Sequence, residues 1–254
     1  MAKKTNGGLP AELENAFAED SGKGFEEVST SDMQIPFLRM VQSLSPQVNK
    51  NEPGFIEGAS VGDIFNTVTQ KFWDGGEGVS VIPVYFQLKF LEFVPRTEGG
   101  GFVGELAADL DVVKSINRDP STGLEILGNG NELVRTAQHY IKIMHDDGTL
   151  ESAIVDMKKT QMKKSKTWLS MMYMQNLNGK RLPSYANTYR LKTVQDGNDK
   201  GKWTSWSISL EGLVTSIDAY NEAREWKPAS LNVLLPPEEM TPITDQSDSE
   251  DVPF

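Results

Sequence analysis

The chain has 254 residues but no cysteine and only two histidines. The absence of cysteine excludes disulfides, thiolate metal sites and cysteine nucleophiles, and it is compatible with a reducing intracellular compartment. The histidines, His139 and His145, are six positions apart in a strand-like stretch. That spacing does not place two imidazoles on one helix face, as a zinc site of this kind requires. We therefore expect no metal and no cofactor.

Long apolar runs and enzyme motifs are also missing. No apolar run reaches the roughly 18 to 20 residues that span a bilayer, and residues 1–8 lack the apolar part of a signal peptide. We expect a soluble, cytoplasmic protein with no membrane partner. The motifs G-x-x-x-x-G-K-[ST], H-E-x-x-H and G-x-S-x-G do not occur. We therefore expect no enzyme. A nuclease that holds Mg²⁺ with Asp and Glu alone stays an alternative, because such ligands have no fixed spacing in the sequence.

Acidic residues outnumber basic ones, 36 to 25, which gives a formal net charge of −11. The excess lies at the two ends of the chain. Residues 1–32 hold seven acids and three basic residues, and residues 236–254 hold six acids and no basic residue. The body between them is close to neutral, so the net charge does not exclude a nucleic acid as partner.

These shifts in composition predict three segments. We expect residues 1–32 to form a flexible arm with one short helix around 11–18, and residues 228–254 to form a disordered acidic tail. Residues 33–227 should form a single domain. Within it, residues 97–131 are rich in glycine and turn signals and have no clear period, so we interpret them as an insertion.

Alternation of apolar and polar residues predicts strands, and a period near 3.6 predicts helices. The predicted strands cover residues 82–90, 133–145, 150–157, 185–195 and 201–210, and the predicted helices cover residues 158–176 and 212–226. This order favours a mainly β fold, a β-barrel resembling the OB-fold with two or three helices and disordered acidic termini. A split sandwich fits the order nearly as well.

Residues 158–203 carry eleven basic side chains and only two acids, and aromatic residues are interspersed among them. Cations that follow phosphates, together with flat rings that stack on exposed bases, are typical of proteins that bind single strands without reading their sequence. The basic candidates are Lys158, Lys159, Lys163, Lys164, Lys166, Lys180, Arg181, Arg190, Lys192 and Lys202, with Lys142 and Lys89 on other strands. The aromatic candidates are Trp203, Tyr185, Tyr189, Tyr140 and Tyr85.

Trp203 is the strongest aromatic candidate, because alternation places it on the strand face opposite Trp206 and Ile208. For any single candidate there is an alternative to nucleic-acid binding. A basic residue would belong to a solvated helix face, and an aromatic residue would be part of the core. This alternative is equally well supported for Tyr185 and Tyr189, whose strand face includes Leu191.

The last four residues, Asp251, Val252, Pro253 and Phe254, close a run of negative charge. An apolar anchor beside a free carboxylate suits a partner pocket with an aromatic slot and a basic rim. A flexible acidic tail would also compete with nucleic acid for the basic segment. The alternative is a tail that only keeps the protein soluble.

This ending resembles the Asp-x-Pro-Phe tip of bacterial single-stranded DNA-binding proteins, with Val252 in place of the usual Ile. The whole chain resembles bacteriophage single-stranded DNA-binding proteins, through Ile35-Pro36-Phe37-Leu38 followed by Gly62-Asp63-Ile64-Phe65-Asn66. The resemblance implies an OB-fold that coats and protects single-stranded DNA, and binds RNA more weakly, during phage DNA replication, recombination and repair in the host cytoplasm. It also implies that Asp251, Pro253 and Phe254 dock replication or recombination proteins.

The length of 254 residues and the insertion at residues 97–131 depart from the compact bacterial proteins. Their tetramer is therefore not implied, and the oligomeric state stays open. Two other functions also stay open. A single-strand annealing recombinase would share the basic and aromatic residues but act as a multimer, and a virion or scaffold protein would bind no DNA.

Overall fold

The computed structural model describes residues 10–28, 32–120, 122–198 and 201–226. Contacts divide the chain into two units, with the division after Met33. In the first unit, helix α1 (Ala11–Glu19) follows Pro10, and none of its residues is buried. The short helix expected around residues 11–18 is thus confirmed. The predicted acidic tail, with Asp251, Val252, Pro253 and Phe254, lies outside the described residues.

The second unit is mainly β, as the alternation in the sequence predicts. Its strands and helices are, in chain order, β1 (Leu38–Met40), β2 (Ile64–Asn66), β3 (Phe72–Trp73), β4 (Val79–Phe93), β5 (Phe102–Leu106), α2 (Asp111–Ser115), β6 (Glu132–Met144), β7 (Leu150–Lys158), α3 (Met162–Tyr173), β8 (Asn176–Leu177), β9 (Lys180–Arg181), β10 (Asn187–Asn198), β11 (Gly201–Leu213) and α4 (Ile217–Glu225). Every strand predicted between residues 82 and 210 is present, and β4 and β11 extend beyond the predicted ends.

The main sheet is antiparallel and has the order β11-β10-β4-β6-β7, with β5 paired to the second half of β4. Strand β4 is rich in Val, Ile and Phe, which favour a pleated, buried surface. A register shift between Pro83 and Tyr85 lets it keep pairing with β6 along almost its whole length. The β6–β7 turn is closed by Gly148, with φ of 85°, and by the Asp147 carboxylate, which accepts from the Thr149 backbone N–H at 2.9 Å.

Strands β7 and β11 do not pair in the described ranges, so the expectation of a closed barrel is wrong. The two sheet edges are instead occupied by residues 36–42. At one edge, the Ile154 N–H of β7 donates to the Pro36 carbonyl at 2.9 Å. At the other, the buried Gln42 amide donates to the Thr204 carbonyl and accepts from the Thr204 N–H, both at 3.0 Å. This segment satisfies edge groups that a closed barrel would pair between strands.

A second, three-stranded antiparallel sheet has the order β1-β2-β3, and β8 and β9 form a separate hairpin. The hairpin turn is made by Asn178 and Gly179, both with positive φ, 51° and 76°. This is the turn chemistry that two-residue hairpins require.

Residues 97–131, interpreted above as an insertion, contain β5 and α2. Val113 and Leu127 from this segment pack with Phe90 and Leu133 of the main sheet in a separate small apolar cluster. The segment is therefore anchored to one end of the β4–β6 pair.

Candidate nucleic-acid interface

Helix α3 is fixed to the main sheet by its buried aromatic residue. Trp168 is 0% exposed; it stacks on the His139 ring of β6 at a centroid distance of 4.5 Å and meets the Tyr189 ring of β10 at 5.9 Å. The Ser165 hydroxyl lies 2.8 Å from His139 Nε2. Burial lowers the pKa of His139 to about 3 and raises the pKa of Tyr189 to about 12. These contacts hold one face of α3 and leave the opposite face to solvent.

The exposed face carries Lys163, Lys166 and Tyr173, which we call the α3 stripe. Their spacings of three and seven residues place them on one side of the helix. The Tyr173 ring is 62% exposed. In the described ranges, neither lysine forms an ion pair. Among the described residues, the stripe therefore has two lysines without a carboxylate partner, and it ends at an accessible aromatic side chain.

The β8–β9 hairpin extends this surface. The Arg181 guanidinium carbon lies 3.6 Å from the Tyr173 ring centroid, so the cation covers one side of the ring. Lys180 is exposed next to it, and the side chains of Met174 and Leu177 are 72% and 49% exposed. An open aromatic and apolar patch thus lies among cations.

A cleft of about 390 Å³ lies between part of α3 and strands β10 and β11. Lys163, Lys164 and Thr167 line its helix side, and Asp196, Ser207 and Ile208 line its strand side, while Thr160, Trp168 and Trp206 complete the lining. The Lys164 ammonium lies 3.8 Å from the Asp196 carboxylate. The cleft connects with the α3 stripe because Lys163 belongs to both.

Carboxylates engage several of the cations expected to bind phosphates. These pairs are Lys89–Glu105 at 2.8 Å, Lys142–Glu222 at 2.8 Å, Lys159–Glu132 at 3.3 Å and Arg190–Glu211 at 2.7 Å. Lys142 is also buried, so its expected contact with phosphates is corrected. Lys158 is half-buried, with its ammonium 5.9 Å from the Phe93 ring centroid. Lys192 is half-buried and Lys202 is exposed.

The helix predicted at residues 158–176 would include Lys159, but in the structure Lys159 lies before α3. It lies in a short 3₁₀ helix, Lys159–Gln161, before α3 begins at Met162, and its φ is 47°. The helix starts later than the period predicts because β7 continues to Lys158.

Two of the expected stacking residues are core residues. Tyr189 is 0% exposed, because Trp168 covers the strand face that it shares with Leu191. Tyr140 is 6% exposed beneath Trp226, whose ring centroid is 5.0 Å away, and burial raises its pKa to about 12. Neither ring is accessible to a base, and both expectations are corrected.

The remaining aromatic candidates are partly accessible. Tyr85 is 40% exposed and packs on Trp226 at 5.8 Å, and Tyr185 is half-buried against Tyr220 at 5.4 Å. Trp203 is half-buried, and its indole Nε1 is enclosed without a hydrogen-bond partner in the described ranges.

The Tyr173–Arg181 pair is the feature that sequence reasoning missed. Tyr173 is not among the stacking candidates that the sequence predicts. Its spacing from Lys163 and Lys166, together with the Asn178-Gly179 turn that returns the chain toward α3, is the signal that would have found it.

The described residues contain no group of three or more His, Cys, Asp or Glu side chains placed to hold a metal ion. Nor does any helix in the described ranges have the length and apolar character needed to cross a membrane. No curated protein and no solved structure shows detectable similarity to the chain. The family described as "Pam3 phage gp34-like protein" matches residues 3–229. Since this match covers most of the chain, the protein belongs to the Pam3 phage gp34-like family and is a phage protein.

Proposed function

We propose that this phage protein binds single-stranded DNA without sequence preference, through the α3 stripe and the β8–β9 hairpin. The observation that carries the proposal is the exposed Tyr173 ring, covered on one side by Arg181, at the end of a row of lysines that have no carboxylate partner in the described ranges. In a chain of net charge −11, the two lysines lie near two further cations, Lys180 and Arg181.

The dimensions suit several nucleotides. Helix α3 has 12 residues and is therefore about 18 Å long at 1.5 Å per residue. A stacked strand has one phosphate about every 3.4 Å, so the helix runs beside about five phosphates. Lys163 and Lys166 are one turn apart and would each neutralise one of them, and Lys180 and Arg181 continue the path.

Stacking explains the preference for single strands. Every base has a π face, so a Tyr173–Arg181 platform accepts any base, and each stacked base contributes about 1 to 3 kcal/mol. A duplex keeps its bases stacked inside and offers only phosphates. The platform therefore favours unpaired strands and does not read sequence.

In this proposal the protein coats and protects single-stranded DNA during phage DNA replication and recombination and catalyses no reaction. RNA also presents phosphates and bases with π faces, and we expect it to be a weaker ligand. The tail that ends at Phe254 recruits replication partners, a role supported only by its composition and its resemblance to bacterial tails.

The test compares two double variants with the same change in charge. Lys166→Ala with Lys180→Ala removes two cations from the proposed surface, and Lys50→Ala with Lys114→Ala removes two exposed lysines elsewhere. Affinity for a fluorescent oligo(dT) is measured by anisotropy at several salt concentrations. Each lost phosphate contact reduces the magnitude of the slope of log K against log salt by about 0.7. The slope of the first variant should therefore be smaller in magnitude by about 1.4, and the slope of the second should be unchanged.

Equal slopes for both variants would place the DNA elsewhere on the protein. The absence of oligo(dT) binding by the unaltered protein at low salt would favour the scaffold function and overturn the proposal. Binding accompanied by pairing of complementary strands, measured by loss of free strand in a native gel, would favour the annealing recombinase.

A further inference from the structure

The cleft between α3 and the β10–β11 pair has the size and lining of a small-molecule site. Its volume of about 390 Å³ falls within the range of about 300 to 1,000 Å³ typical of such sites. It is too small for a duplex but has room for one nucleotide. Among its lining residues, Trp168 is 0% exposed and Trp206 is 1% exposed. The inner part of the cleft is therefore formed by indoles that are already packed.

The lining combines an apolar part with cations and hydroxyls. Ile208 supplies apolar surface beside the two packed indoles, and Lys163 and Lys164 supply ammonium groups on the helix side. The Thr167 hydroxyl donates to the Lys163 carbonyl at 3.1 Å. The lone pairs of the Thr167 hydroxyl oxygen can therefore accept hydrogen bonds from other donors. A flat base with an attached phosphate matches this combination, whereas a divalent cation meets two ammonium groups and a single carboxylate.

The Asp196 carboxylate is the counter-ion of this site. One oxygen accepts from the Gly197 N–H at 2.9 Å, and the other lies 3.8 Å from the Lys164 ammonium. The distance to Lys164 is long for a charge-assisted hydrogen bond, which is about 2.7 to 2.9 Å. A phosphate that approaches Lys164 more closely would therefore replace a weak contact.

We propose that this cleft holds one nucleotide of a bound strand, with the base against Ile208 and its phosphate between Lys163 and Lys164. The inference rests on the proposed function and adds a site to it, since Lys163 joins the cleft to the α3 stripe. The strand then passes from the Tyr173–Arg181 platform along the lysines and places one base in the cleft.

The chain offers a matched pair of variants for testing the cleft. Thr167 and Ser170 are both exposed on α3, and each donates its hydroxyl to the carbonyl four residues earlier, at 3.1 Å and 3.0 Å. Only Thr167 is among the residues that line the cleft. Thr167→Phe therefore fills the cleft, and Ser170→Phe adds the same bulk to the same helix outside it.

The probe is dAMP, titrated into ¹⁵N-labelled full-length protein, with the signals of the five tryptophan indoles as readout. We expect the Trp168 and Trp206 signals to shift in the unaltered protein and in Ser170→Phe. In Thr167→Phe the Kd for dAMP should rise roughly tenfold or more, because the added ring takes the space of the base.

Three results would overturn the inference. The first is no shift of either indole with dAMP, and the second is equal dAMP affinity of the two Phe variants. The third is an equal response to inorganic phosphate alone, which would identify an anion site without a base. These results are distinguishable from failure of the proposed function. That function is tested by oligo(dT) binding of the two double lysine variants, and none of the four replaced lysines lines the cleft.

Discussion

Lowering the pH from 6.5 to 5 should lower the free energy of unfolding, because His139 is buried in its neutral form. Its pKa is about 3 in the folded protein, where burial opposes the charge, against 6.5 for the free side chain. The unfolded chain therefore binds a proton below pH 6.5 that the folded chain does not, and stability falls as the pH falls from 6.5 toward 3. At pH 5, 1.5 units below the unfolded value, the loss is about 2 kcal/mol.

The assay is urea unfolding at pH 7.5, 6.5, 5.5 and 5.0, followed by circular dichroism, for the unaltered protein and for His139→Gln. The Gln amide has no proton to gain in this range and retains a polar group that can reach the Ser165 hydroxyl, which lies 2.8 Å from His139 Nε2. Both proteins share His145 and all carboxylates, so the difference in their pH dependence isolates His139. We expect the unaltered protein to lose about 2 kcal/mol more than the variant by pH 5.

The reasoning is refuted if the two proteins lose the same free energy of unfolding between pH 7.5 and pH 5.0. That result would mean that His139 gains its proton without leaving its site between Ser165 and Trp168.

Two further variants test the packing of the sheets by urea unfolding. Gln42→Ala leaves the Thr204 N–H and carbonyl without their partner and should cost about 1 to 3 kcal/mol; an unchanged midpoint would show that water replaces the amide. Gly75→Ala places a Cβ in steric conflict with the Gly62 carbonyl oxygen, so it should cost about 1 to 3 kcal/mol. Gly104→Ala, where nothing lies within 4 Å, is the control, and equal costs would contradict the close contact.

The sequence predicts elements whose pattern is local. Alternation identifies β4, β6, β7, β10 and β11, and the helical period identifies α3 and α4. The prediction of a closed barrel is wrong. Residues 36–42 contact both edges of the sheet, and these residues are distant in sequence from β7 and β11. No local pattern indicates that Gln42 pairs with Thr204 across 162 positions.

The same limit applies to the candidate interface. The partners that engage two of the predicted cations are remote, with Glu211 21 positions from Arg190 and Glu222 80 positions from Lys142. Charge counting cannot distinguish such paired cations from free ones.

Tyr189 illustrates the limit for aromatic residues. It shares a strand face with Leu191, and a face of this kind is buried or exposed according to whether a helix covers it. Here α3 covers it through Trp168. Tyr173 is the reverse case, because it lies on the exposed face of the same helix.

The most direct test of the central claim is a fluorescence titration with oligo(dT) and with a duplex of equal length, at low and moderate salt, for the unaltered protein and for Tyr173→Ala. We predict salt-sensitive binding of the single strand, weaker binding of the duplex, and a loss of about 1 to 3 kcal/mol in single-strand affinity for Tyr173→Ala. Equal affinity for single strand and duplex, or an unchanged affinity of Tyr173→Ala, would contradict a stacking surface at the end of α3.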